Sequence, residues 1–181
     1  MVFKKKNENN HLAITVSPVS ITFTTTTTSL VVSAQDLVGP DLVILNISAF
    51  KKTITKFLAS STLDKPSTAI ALEGYSVQEL IADDHFVPKR EFQNLVWQGI
   101  PLSHQTNTSL YFCAIGQELI FQYQLLASSC NLKLVSLTTC TMAQLTSYGM
   151  AISCSSIHEL KQQLKVISPQ AAVLKLASGK V

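Results

Sequence analysis

Charge is scarce in this sequence. Of 181 residues only 14% are Asp, Glu, Lys or Arg, well below the quarter usual for a soluble chain. The formal balance is +3, and Lys4, Lys5 and Lys6 supply that excess at the start of the chain. Without them the net charge is near zero, which argues against a nucleic-acid surface. Glycine is sparse too, and all six glycines stand alone. A loop that cradles phosphate needs clustered glycines so that backbone N–H groups can approach it. G-x-G-x-x-G, G-x-x-x-x-G-K-[ST] and G-x-S-x-G are all missing. The four cysteines, Cys113, Cys130, Cys140 and Cys154, include no C-x-x-C pair, so a zinc module is disfavoured. Their apolar surroundings predict free thiols, buried, in a reducing compartment. Asn46-Ile47-Ser48 and Asn107-Thr108-Ser109 match glycosylation sequons, which matter only in a secreted chain.

Long apolar runs are missing as well. A membrane span needs about 20 apolar residues. The uncharged stretch Asn9–Gln35 is broken by Pro18 and by Thr24 to Thr28, and the one enclosed by Lys133 and Glu159 is dense in Ser, Thr and Cys. The basic start runs into Asn7, Glu8, Asn9 and Asn10, unlike a secretory signal. The expectation is a solvated, flexible basic tail over residues 1–10 and no direct membrane span. What the chain does have is a 46% hydrophobic content, enough for a core and too much for disorder. Its mean hydropathy of +0.27 is high for a soluble chain and fits a life beside a membrane. The length suits one domain or two small lobes sharing a sheet.

Apolar periodicity assigns the elements. Leu12, Ile14 and Val16 alternate, Ser17-Pro18 turns, and Val19, Ile21 and Phe23 alternate again. The threonine run extends that arm, and Ser29–Ala34 makes a third antiparallel strand. Ser48 reads as the N-cap of a helix whose apolar face is Phe50, Ile54, Phe57 and Leu58. Strands are predicted over Ser67–Leu72 and Val77–Ile81. A helix is predicted from Pro88 to Gly99, carrying Phe92, Leu95 and Val96. Leu110–Ile115, Glu118–Ser129 and Leu132–Leu137 then read as strand, helix, strand, which favours a right-handed parallel crossover. Met142, Leu145, Gly149 and Ile152 mark a further helix. Ser156 and Glu159 form a capping box for another, and Ala172–Leu176 reads as a last strand. The fold class is α/β: three antiparallel strands opening a helix-covered mixed sheet.

Two groups of residues carry chemistry. Asp83, Asp84, His85 and Glu91 form an acidic cluster beside a histidine. They read either as a solvated loop before a helix N-terminus or as ligands of a divalent ion. Phe86, Val87, Phe92, Trp97, Ile100 and Leu102 form an apolar neighbourhood around the only tryptophan. They read either as core filling or as an anchor site for a partner segment.

Leu110–Ile115, Leu119–Ala127, Leu132–Leu137 and Met142–Ile152 occur in an order that resembles the first half of the PilM-type actin-like pilus-assembly proteins, relatives of FtsA. The three opening strands, the Ala49–Leu58 helix and the strand around Ile70-Ala71-Leu72 match that family's first subdomain. The resemblance implies an actin-like (ribonuclease-H-like) half with a small inserted α/β subdomain. Residues 11–84 would be the first subdomain, 85–138 the insertion and 139–181 the return to the first subdomain. Actin-like ATPases carry Asp-x-Gly between the first two strands; here that place reads Thr15-Val16-Ser17-Pro18-Val19. The second nucleotide-binding half is also missing from the sequence. The resemblance therefore implies a degenerate, non-catalytic member, without cofactor. Such a protein would be a cytoplasmic scaffold at the inner membrane, gripping the cytoplasmic segment of a membrane component of a type IV pilus or type II secretion machine. The competing expectation is a small nucleotide- or metal-dependent enzyme using Asp83, Asp84, His85 and Glu91.

Overall fold

The computed structural model describes residues 10–83, 85–86, 94–102, 109–149, 152 and 154–180. The expected basic tail thus lies almost wholly outside the described residues. Strands β1 (His11–Val16) and β2 (Ser20–Thr24) form an antiparallel hairpin. Its turn is the Ser17-Pro18-Val19 corner: the Ser17 amide donates to the Ser20 carbonyl at 2.9 Å and the Ser20 amide to Ser17 Oγ at 3.0 Å. Proline, which lacks an amide donor, is tolerated there and not inside either strand. The threonine run does not lengthen the arm beyond Thr24. Thr25 to Thr28 form the next turn, where Thr25 Oγ1 accepts from the amides of Thr27 and Thr28. Hydroxyls compete with ladder bonds in this way. Strand β3 (Ser29–Ser33) completes the opening meander.

Helix α1 (Ile47–Ser61) starts two residues earlier than Ser48 would dictate. Asn46 is its N-cap, accepting from the Ala49 amide at 2.9 Å, and Thr62 ends it in the left-handed conformation. Phe50, Ile54 and Phe57 are buried against the sheet. Strand β4 (Ser67–Leu72) pairs parallel with β1, Val16 lying opposite Leu72, and both strands are buried on both faces.

The chain then leaves this sheet. Strands β5 (Val77–Ala82), β6 (Leu95–Pro101) and β7 (Leu110–Gly116) form a separate antiparallel sheet in the order β5–β7–β6. Leu95 to Gly99 are therefore strand and not the end of a helix; Pro88 to Phe92 lie outside the described residues. Gly99 has a packing role here: a Cβ would stand 2.7 Å from the ring of its cross-strand neighbour Phe112. Val96, Trp97 and Ile100 carry the strand preference that the helical reading overlooked.

Helix α2 (Gln117–Ser129) leads back, and strand β8 (Lys133–Thr139) pairs parallel with β4. The β7–α2–β8 unit is thus a passage between two sheets and not a crossover within one. The parallel partner of β8 is β4. β5, before residue 85, belongs to the second sheet, and β8, which begins before residue 138, to the first. Helices α3 (Cys140–Tyr148), α4 (Ile157–Leu164) and α5 (Pro169–Ser178) follow. Gly149, at φ +56°, ends α3. Ser156 caps α4 as predicted, although Glu159 reaches back to the amide of Ser155. The expected last strand Ala172–Leu176 is helix α5. Ser168 caps it, Pro169 starts it and Gly179 ends it, and these three signals outweigh the apolar run between them.

The five-stranded sheet has the order β3–β2–β1–β4–β8. Its two faces differ in side-chain size. Leu12, Ile14, Ile70 and Leu72 face α1 and α2 with Phe50, Ile54 and Tyr123. Ala13, Ala69 and Ala71 face α5 with Ala172, Val173 and Ala177. Small residues on both surfaces let that helix lie close to the sheet. Three antiparallel strands opening a mixed, helix-covered sheet are the α/β fold expected from the sequence.

Candidate functional site

Two strands that end their sheets line one cleft. Strand β8 ends the order of the five-stranded sheet and β6 ends that of the three-stranded one. Between them lies a cleft of about 510 Å³, lined by Gln98, Gly99 and Ile100 of β6, Ser136 and Thr138 of β8, and Met142 of α3. Thr138 Oγ1 donates to Gln98 Oε1 at 3.2 Å, a direct polar tie between the two sheets at this place. Edge strands present unpaired N–H and C=O groups. A cleft with one on either side suits an extended polypeptide that adds main-chain hydrogen bonds. Ile100 and Met142 supply its apolar wall.

Beside the cleft the second sheet is anchored by a polar chain that runs from buried Tyr111 out to exposed Lys161. Tyr111 of β7 donates its hydroxyl to Glu79 of β5 at 2.6 Å and lies 3.1 Å from Thr139 Oγ1. Lys161 of α4 stands 2.5 Å from Glu79. Burial first, and the Glu79 charge second, hold the Tyr111 hydroxyl protonated far above the ordinary tyrosine range. Burial likewise pushes the Cys113 thiol up to about 11 and raises Cys140 further. Protonated, enclosed thiols are poor nucleophiles. All four cysteines are free, Cys113 and Cys140 buried and Cys130 and Cys154 half-buried.

The sequence-predicted anchor site is split between the faces of the second sheet. Trp97 lies in register with Ala114, and Gly99 with Phe112. Phe86 packs on Trp97 and Phe112 on that side, with ring centroids at 5.6 and 5.0 Å. Ile100, opposite Tyr111, belongs to the other side and lines the cleft. Leu102 is 1% exposed and is core. Val87 and Phe92 lie outside the described residues. Of the described members of the six, only Ile100 lines the cleft. The acidic cluster is only partly described: Asp83 accepts from the His85 amide at 3.1 Å, both residues are exposed, and Asp84 and Glu91 lie outside. Among the described residues, no three His, Cys, Asp or Glu side chains gather closely enough to hold a metal. Sequence reasoning missed Gln98, Ser136, Thr138 and Met142. The alternation of Ser136 and Thr138 with Val135 and Leu137 marks a polar side of β8, but nothing local says that β8 ends its sheet.

A second, open cleft of about 700 Å³ lies over the β1–β2 turn. Ser17, Pro18 and Val19 form one wall, and Glu73, Glu79 and Lys161 supply its charge.

No protein-family model matches the chain, and no curated protein matches it in sequence. Solved structures do. The structure of the "PilM-PilN type IV pilus biogenesis complex" superposes with a TM-score of 0.60 at 14% identity. The fold is PilM-like and actin-like. The match covers 76% of this chain and 49% of that one, so the chain spans about half the length of the PilM-type structure. The cytoplasmic domain of EpsL, an inner-membrane component of the type II secretion system of Vibrio cholerae, matches with a TM-score of 0.48 at 9% identity. It covers 73% of this chain and 56% of its own. In the PilM-like frame the Ser17-Pro18-Val19 corner occupies the turn between the first two strands. Among the described residues, no helix is long and apolar enough to cross a membrane.

Proposed function

We propose that this protein is a non-enzymatic scaffold of a membrane-associated assembly of the type IV pilus or type II secretion kind. On this reading it acts on the cytoplasmic side of the inner membrane. It holds an extended cytoplasmic segment of a membrane component between β6 and β8. The observation that carries the proposal is the cleft of about 510 Å³ lined jointly by β6 and β8, each of which ends its sheet. The PilM-like fold supports it, since the matched structure is a complex of PilM with PilN. Main-chain pairing would supply affinity, and the apolar wall of Ile100 and Met142 would select alternate side chains of the segment.

The test is a titration, by fluorescence anisotropy, with the N-terminal cytoplasmic peptide of the candidate membrane component. Ser136→Trp places an indole in the cleft and is expected to weaken binding about tenfold or more, with the circular dichroism spectrum unchanged. Trp97→Ala is expected to bind as wild type, because Trp97 lies on the opposite side of its sheet. Normal binding by Ser136→Trp, or loss in Trp97→Ala alone, would overturn the cleft as the site.

The non-enzymatic part rests on the cleft over the first turn. A nucleotide there would meet a proline corner where a glycine turn is needed, with the isolated Gly74 on the other wall, and two carboxylates, Glu73 and Glu79, against the ammonium of Lys161. Lys161 is itself engaged by Glu79. A polyphosphate placed there is repelled more than held. Calorimetry with ATP and Mg²⁺ is expected to register no micromolar binding; a clear isotherm or ATP turnover would remove this part of the reading.

A further inference from the structure

The outer surface of the helix layer formed by α1 and α2 combines apolar and basic side chains in a way the cleft does not use. Leu45, Ile47, Phe121 and Leu125 are 64%, 40%, 64% and 50% exposed. Phe121 and Leu125 stand one helical turn apart, roughly opposite the buried line Leu119, Tyr123 and Leu126. Lys51, Lys52 and Lys56 are exposed on α1, which contains no acidic residue. The two helices are neighbours: the Ile44 amide, just before Leu45, donates to Gln122 Oε1 at 3.0 Å. Lys51 also lies close enough to Cys130, at the end of α2, to act on its thiol. The one carboxylate of α2, Glu118, sits in its first turn.

We propose that this α1–α2 face rests on an anionic lipid bilayer. Its apolar side chains stand at the start of α1, where Leu45 precedes the helix and Ile47 opens it, and on the outward side of α2. Such a surface meets a plane of headgroups better than it encloses a peptide. Lysines among exposed Phe, Leu and Ile are the pattern of interfacial helices, with the ammonium groups at the phosphates and the apolar side chains at the acyl boundary. Charge complementarity selects the lipid: three ammonium groups without a carboxylate on α1 favour an anionic leaflet over a zwitterionic one. The inference stands independently of the β6–β8 cleft, since the two sites share no residue.

The test uses the full chain in sedimentation with vesicles of phosphatidylcholine alone and with about one quarter phosphatidylserine. Binding is expected only to the anionic vesicles and is expected to weaken as salt rises. Lys51→Glu with Lys52→Glu is expected to reduce it about tenfold or more, and Phe121→Ser with Leu125→Ser several-fold. These positions are exposed, and circular dichroism checks that the variants stay folded. Lys4→Gln, Lys5→Gln and Lys6→Gln together are expected to leave most of the binding intact. Equal binding to neutral vesicles, or no binding to either, would overturn the proposal. Loss confined to the Lys4–Lys6 variant would overturn it in favour of the N-terminal lysines. Self-association abolished by the Phe121 and Leu125 changes would overturn it in favour of a contact between two copies.

Discussion

Phe23→Ala is expected to destabilise the protein by about 3–5 kcal/mol, the range for removing a fully buried phenyl ring. Phe23 is 0% exposed and lies in β2, one residue before its end. Its ring meets Phe57 stacked at 5.4 Å and Phe50 edge-on at 6.5 Å, so this one side chain fastens α1 to the sheet. The loss is a large part of the stability of a domain, about 5–15 kcal/mol in total. In a chain of this size it corresponds to a fall in melting temperature of about 10 °C or more. Thermal unfolding followed by circular dichroism measures it. Phe23→Leu keeps most of the volume and is expected to cost less than half as much. An alanine variant that melts within a degree or two of wild type would show that α1 is not held at this point.

The second large effect is alkaline. Cys113 and Cys140 are buried, and burial is the main cause holding both thiols above their ordinary value of 9.0, Cys113 at about 11. In the folded chain they stay protonated where the unfolded chain has lost the proton. Above pH 9 the unfolded state therefore binds fewer protons, and unfolding free energy falls as pH rises. Each thiol contributes about 1.4 kcal/mol per pH unit. Their contribution is fully present below pH 9.0 and, for Cys113, is lost by about pH 11. Buried Tyr111 and Tyr123, also raised chiefly by burial, steepen the fall once pH passes their ordinary value of 10.0. Urea midpoints between pH 8 and 10.5 are expected to drop steeply, and Cys113→Ala with Cys140→Ala to flatten the first part of the curve. A midpoint independent of pH over that interval would mean that the thiols ionise freely in the native chain.

Much of the architecture was legible because alternation and capping are local. Leu12, Ile14 and Val16 against Ile21 and Phe23, with Ser17-Pro18 between them, specify a hairpin and its corner with no distant information. Phe50, Ile54 and Phe57 specify the buried face of α1 in the same way, and Ser156 with Glu159 the start of α4. The misreadings arose where local signals compete. Leu95–Pro101 carries both a helical spacing and strand-forming side chains, and pairing with β7 decides between them. Ala172–Leu176 reads as a strand by apolarity, yet Ser168, Pro169 and Gly179 bracket a helix that buries its small residues on Ala13, Ala69 and Ala71.

The amino-acid order alone determined a helix-covered α/β sheet opening with three antiparallel strands, and a first turn without glycine or carboxylate. These depend on side-chain periodicity and backbone preferences acting over a few residues. Tertiary structure alone decided which strands end their sheets, that β7 and β8 belong to different sheets, and that Ile100 shares a cleft with Ser136 and Thr138 while Trp97 faces away. It also decided that α1, with its lysines, packs beside α2, which carries Phe121 and Leu125. Pairing between segments distant in sequence sets all of these. A strand's local pattern says which of its sides is apolar, but carries no information on whether another strand will lie along its edge.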